Sequence, residues 1–166
     1  MTSRQHGSAV IEFPNELEIL ITRHFEAPIA LVFDVFTKPE HVRKTFPPFG
    51  ETMAVCSIDL RVGGSYHIVS VTPDGKECSF RGVYLEIEPP TRIVATWLFE
   101  GWPDAEAVET EELHETDGVT TPTMKLAFRD QAGRDHMTKH DGQEDSFDKM
   151  EDYLRSLLDP SETASG

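Results

Sequence analysis

The 166 residues suffice for one domain with a single hydrophobic core. Thirty acidic residues against 15 basic ones leave a formal net charge of -15, which repels phosphate backbones and anionic lipid surfaces and so excludes nucleic acid from the expected partners. The opening MTSRQHGSAV has no secretory apolar run and no later stretch approaches the ~20 apolar residues of a membrane span, so the expected location is the cytoplasm.

Residues 1–14 are polar and end at Pro14-Asn15, which reads as a flexible N-terminal arm before a single domain over 15–159. From 17 to 25, Leu17, Ile19, Ile21 and Phe25 alternate with mostly polar neighbours, the pattern of a half-buried strand. Pro28 then opens a short helix to about Thr37 whose apolar face is Leu31, Val32, Val35 and Phe36, and Pro39 opens a second, stopped by Pro47-Pro48 and Gly50.

A run of strands follows. Residues 52–60 and 65–71 flank a turn at Gly63-Gly64, and Pro73-Asp74-Gly75-Lys76 is a hairpin signal leading into a longer strand over 77–88, where Gly82 marks a bulge or a close backbone approach. After Pro89-Pro90, residues 92–100 carry Ile93, Ala95, Trp97 and Phe99 on one face, the most apolar strand surface in the chain. An acidic strand over 107–115 turns at Asp117-Gly118 into a last strand over 121–128, with Met124, Leu126 and Phe128 inward.

A polar loop over 129–139 leads to one long amphipathic helix, residues 140–158, with Phe147, Met150, Leu154, Leu157 and Leu158 on its stripe and a capping box at Asp141 and Glu144. Residues 160–166 read as a disordered tail. Hairpin-joined strands form an antiparallel meander, and only the final helix can cover its apolar face. A bent sheet gripping that helix leaves room between them.

The chemistry-bearing residues are few. Cys56 and Cys78 lack any CxxC or Cys/His ligand spacing and read as small buried hydrophobes, without disulfide or zinc. His136 and His140 stand four apart, but no third metal ligand accompanies them and Arg134 and Lys139 crowd the position with positive charge, so two exposed histidines are expected. There is no HExxH, no nucleophile elbow and no phosphate-cradling glycine loop. The sharpest candidates are Glu109 and Glu111: if Leu113 points inward, strand parity turns both inward with it, where burial would raise their pKa values and let them serve as acid, base or amine ligand. The plainer alternative, which carries more weight, is a bulge or a protruding strand that leaves both in an acidic, solvated face.

Asp59-Leu60-Arg61-Val62-Gly63-Gly64 with Tyr66, the run from Gly82 to Val94 through Pro89-Pro90, then Trp97 and Glu100-Gly101, resembles the activator-of-heat-shock-ATPase homologue family. The opening from Ala27-Pro28 to Pro39-Glu40-His41 is similar to that family's start, and together these cover about residues 17–158. The resemblance implies an α+β, helix-grip fold of the START-related, birch-pollen-allergen-like superfamily: a curved antiparallel sheet of about seven strands wrapped around a long C-terminal helix, with two short helices after strand one. It also implies that the first strand lies at a sheet edge beside the last, and that one strand separates Cys56 from Cys78. At ~4.8 Å per strand step they are then too far apart for a disulfide. The chain departs from the family at Lys44-Thr45-Phe46 and Gly142-Gln143, where relatives often carry aromatic pairs near the expected cavity mouth.

The expected function is therefore binding of a small apolar or amphipathic molecule between sheet and C-terminal helix, with no cofactor, no metal and no turnover. The expected lining is Tyr66, Phe80, Tyr84, Trp97, Phe99, Glu109, Glu111, Met124, Phe147 and Met150. Two alternatives follow from the resemblance: a co-chaperone stimulating the ninety-kilodalton heat-shock ATPase, and a cyclase- or hydratase-type enzyme using the cavity carboxylates. A homodimer is a state common among similar proteins.

Overall fold

The computed structural model describes residues 3–6, 9–47, 51–100, 106–137 and 142–158, and within these every side chain except those of residues 3–6, 9, 136, 137 and 142–147. In chain order the elements are β1 (Ser3–His6), β2 (Ala9–Glu12), β3 (Glu18–Thr22), α1 (Ile29–Thr37), α2 (Pro39–Thr45), β4 (Thr52–Ile58), β5 (Ser65–Val71) and β6 (Glu77–Glu88). They continue with β7 (Arg92–Phe99), β8 (Ala107–Thr116), β9 (Val119–Phe128), α3 (Gln131–Met137) and α4 (Gly142–Leu158).

One antiparallel sheet runs in the order β1-β2-β3-β9-β8-β7-β6-β5-β4. From β4 to β9 each strand pairs with the next, and β3 closes against β9, with Ile19 opposite Leu126 and Ile21 opposite Met124. The sheet has nine strands among the described residues, not about seven, because the expected N-terminal arm supplies β1 and β2. Ile11 sits opposite Ile21 and is only 3% exposed, so burial of one isoleucine on the edge of the core draws this otherwise polar segment into the sheet. The strand expected at an edge, β3, is accordingly interior.

Turn chemistry explains the meander. Asp117 and Gly118 take φ of 53° and 79°, the pair of left-handed conformations that a two-residue hairpin between β8 and β9 demands. Gly82 is a point of close approach: a methyl group there would lie 1.9 Å from the Thr96 carbonyl oxygen. The bulge falls nearby, between Tyr84 and Glu86 on β6. Cys56 on β4 and Cys78 on β6 are free thiols with β5 between them.

Pro28 caps α1 and Pro39 opens α2, as fixed φ angles and missing amide protons favour. The first free amide of α1, that of Ile29, donates to the Glu115 carboxylate at 2.7 Å, which ties the helix to β8. Residues 131–137, expected as loop, form the short helix α3, whose Gly133 amide donates to the Asp130 side chain at 2.8 Å.

The helix α4 lies over the core through Met150 and Leu154, which join the same buried cluster as Trp97, Leu126 and Phe128. Leu157 and Leu158, expected on that stripe, are instead 38% and 47% exposed. The proposed capping residue Asp141 lies outside the described residues, as do His140, the tail over 160–166 and the side chains of Glu144 and His136. Polar contacts fix α4 in place. Arg23, just past β3, bonds Asp148 at 3.2 Å and also Glu151, while His41 of α2 shares a 2.6 Å hydrogen bond with Tyr153 and Lys149 donates to the Pro47 carbonyl at 2.6 Å.

Candidate functional site

Strand β8 pairs without interruption on both sides, so its side chains keep strict alternation. Ala107 and Leu113 are buried in the main core, and Glu109 and Glu111 share their parity. The bulge that would have turned the glutamates outward is absent from β8. Each stands within a cross-strand row of the core face: Ile19, Leu126, Glu109, Ala95 and Tyr84 form one, and Ile21, Met124, Glu111, Ile93 and Ile87 the next.

Two carboxyl groups thus occupy the middle of a wall whose other members in those rows are apolar, apart from one phenol. Both glutamates are half-buried while their neighbours Ile93, Ala95, Met124 and Leu126 are buried. Burial raises both pKa values. Glu111 is held well above the ordinary carboxyl range, because the charge of Glu109 and a hydrogen bond to it both favour the protonated form; that same bond pulls Glu109 partly back down. No Lys, Arg or His among the described residues is a charge partner of the pair.

Tyr66 and Tyr84 flank the pair, their rings 5.6 Å apart. Burial, and then the nearby carboxylates, push both phenols far above their usual range, so both stay neutral. The Tyr66 hydroxyl donates to the Thr96 carbonyl at 3.0 Å, whereas the Tyr84 hydroxyl has no hydrogen-bond partner among the described residues. Farther along, Phe80 and Phe99 stack at 5.1 Å and Phe80 meets Trp97 at 5.7 Å. Phe80 and Phe99 are half-buried and Trp97 is buried.

Nine of the ten expected lining residues therefore lie on the inner surface: Tyr66, Phe80, Tyr84, Trp97, Phe99, Glu109, Glu111 and Met124 on the sheet, and Met150 on α4. The tenth, Phe147, belongs to α4, but its side chain lies outside the described residues. Sequence reasoning missed Phe46, at the end of α2, whose ring meets Phe80 edge-on at 5.4 Å and supplies an aromatic group where the family's pair was thought reduced. Ala95, placed on this face by the sequence but not among the expected lining, separates Tyr84 from Glu109 with a single methyl. The signal for Ala95 was present, as the one small residue on an otherwise bulky strand face.

A curved antiparallel sheet with a C-terminal helix laid across it is the helix-grip fold, the architecture of a ligand-binding type of domain. Residues 26–155 match the family described as Activator of Hsp90 ATPase homolog 1-like protein, and the chain belongs to that family. A Rhodobacter sphaeroides protein of known structure superposes with a TM-score of 0.82 at 21% identity, covering 88% of this chain and 97% of its own. Proteins from Nitrosomonas europaea (TM-score 0.76, 25% identity, 88% and 99% covered) and Chromobacterium violaceum (0.73, 26%, 86% and 98%) are also similar. A comparison with curated proteins finds no match. No described helix is long and apolar enough to cross a membrane, and no group of three or more His, Cys, Asp or Glu among the described residues is arranged to hold a metal.

Proposed function

We propose that the protein binds a small amphipathic molecule between the sheet and α4, with the apolar part of the guest against the Phe80, Phe99 and Trp97 rings and its polar part at Glu109 and Glu111. The observation that carries this reading is the carboxyl pair in the centre of an apolar wall. A purely structural core has no use for two adjoining acids without a cation, since each costs desolvation free energy that alanine or leucine would not. The partial exposure of Tyr66, Phe80, Phe99 and both glutamates, all on the inner face, supports an interior that side chains alone do not fill.

Native mass spectrometry of the purified protein, together with a titration against the neutral apolar dye Nile red, tests the proposal. The expected result is saturable one-to-one binding. Unsaturable or absent dye binding, with a bare protein mass and no guest after mild ionisation, would overturn it.

A second reading takes the carboxyl pair as general acid and base, because a carboxyl group with a raised pKa is the form in which a glutamate delivers a proton near neutral pH. That reading requires turnover of a bound guest, which Glu109→Gln and Glu111→Gln would abolish without abolishing binding. The chaperone role in the family's description is a third proposal for this chain, checked by whether the protein changes the heat-shock ATPase rate.

A further inference from the structure

We infer that the guest's polar end is a protonated amine, held by Glu109, Glu111 and the Tyr84 hydroxyl, so that the ligand class is a monocationic amphiphile. The inference rests on the binding reading above and narrows it.

Tyr84 is the independent observation. It is 8% exposed, its hydroxyl has no partner among the described residues, and the ionisable groups that act on it most strongly are Glu111 and Glu109. A hydroxyl with no protein partner keeps its donor and acceptor capacity for a bound group. Tyr84 and Glu109 stand in one cross-strand row, about 10 Å apart at the backbone from two strand spacings, with only the Ala95 methyl between them.

Charge and hydrogen-bonding capacity select the occupant. Two adjoining carboxyl groups on the inner face, with no Lys, Arg or His among the described residues to offset them, favour a cation and disfavour a carboxylate or phosphate. A primary ammonium has three donors, and the site offers three acceptors: one oxygen from each glutamate and the Tyr84 oxygen. The Tyr66 and Tyr84 rings, 5.6 Å apart, add aromatic faces suited to a cation. An alcohol fills the same space but leaves the charge unmatched. The Tyr66 hydroxyl is already committed to Thr96 and stays outside the set.

The test uses n-octylamine, n-octanol and n-octanoate, equal in chain length, each displacing Nile red from the full chain. Octylamine is expected to bind about ten- to a hundredfold more tightly than octanol, with octanoate weakest. In the Glu109→Gln/Glu111→Gln protein the preference for octylamine over octanol should fall to about twofold or less. Tyr84→Phe keeps the ring and should narrow the preference for octylamine over octanol severalfold; it decides the matter should the double variant fail to fold. Equal binding of amine and alcohol by the unaltered protein, or a preference that survives both variants, would overturn the amine assignment and leave the binding reading intact. Binding of none of the three would overturn both.

Discussion

Arg23 and Glu151 stand 128 residues apart and form an ion pair that locks the C-terminal helix to the sheet, with Asp148 on the same guanidinium at 3.2 Å. The arginine side chain is 1% exposed, while its two partners lie near the surface. An asymmetric pair of this kind has an asymmetric response to mutation. Replacing Arg23 by Met removes the cation and leaves two carboxylates that water can solvate, at a cost of about 2 kcal/mol. Asp148→Asn/Glu151→Gln instead takes two carboxylates away from a guanidinium that is itself buried and should cost about 3–5 kcal/mol. Urea unfolding of both variants checks the order, and a less stable Arg23→Met protein would show that the guanidinium does not depend on these two carboxylates.

The carboxyl pair makes stability depend on pH in a direction opposite to that of an ordinary salt-bridged glutamate. The folded-state pKa values of Glu109 and Glu111 lie above the ordinary 4.5, so between the two values the native state binds more protons than the unfolded chain. Their contribution to stability is greatest at low pH and falls as pH rises from about 4.5 through the raised folded values, by about 1.4 kcal/mol for each unit of displacement. Glu109→Gln/Glu111→Gln should abolish that fall. Thermal unfolding of both proteins from about pH 5 to pH 9 is expected to show the variant gaining steadily on the native chain as pH rises. A constant difference would place the glutamates in solvent.

Gly82 has no room for a side chain. A methyl group would meet the Thr96 carbonyl oxygen at 1.9 Å and the Tyr66 ring at 2.7 Å, and the first of these is backbone that cannot swing away. Gly82→Ala should therefore spread β6 from β7 and cost about 3 kcal/mol. Because the same movement displaces Tyr66 from its bond to Thr96, near-ultraviolet circular dichroism should change along with the unfolding midpoint. A fully stable Gly82→Ala protein would contradict the observed register of Tyr66 and Gly82.

How much of this was written in the chain depends on the range of the interaction. The strands from β4 to β9 were legible because each carries its own alternation and each hairpin its own turn residues. The inward parity of Glu109 and Glu111 followed from Leu113 alone, although the same alternation is compatible with a bulge, and only the unbroken pairing of β8 with β7 and β9 decides between them. Strands β1 and β2 were illegible because a single buried isoleucine leaves no period to detect. Helix α3 was missed because Gly133 sits in a polar heptapeptide where propensity argues against a helix. The pairing of Arg23 with α4, the row that sets Tyr84, Ala95 and Glu109 side by side and the unpartnered hydroxyl of Tyr84 all arise from segments far apart in sequence, and no local pattern encodes them.

The central claim is that a guest occupies the space between β7, β8 and α4, next to Glu111. Carbon-13 labelling of the methionine methyl groups tests it directly, since Met124 lies opposite Glu111 on the sheet and Met150 faces the core from the helix. Saturating n-octylamine is predicted to shift the Met124 and Met150 methyl resonances together, with one binding isotherm. Shifts confined to other methionines, or none at all while the amine still binds, would put the guest elsewhere and contradict the account.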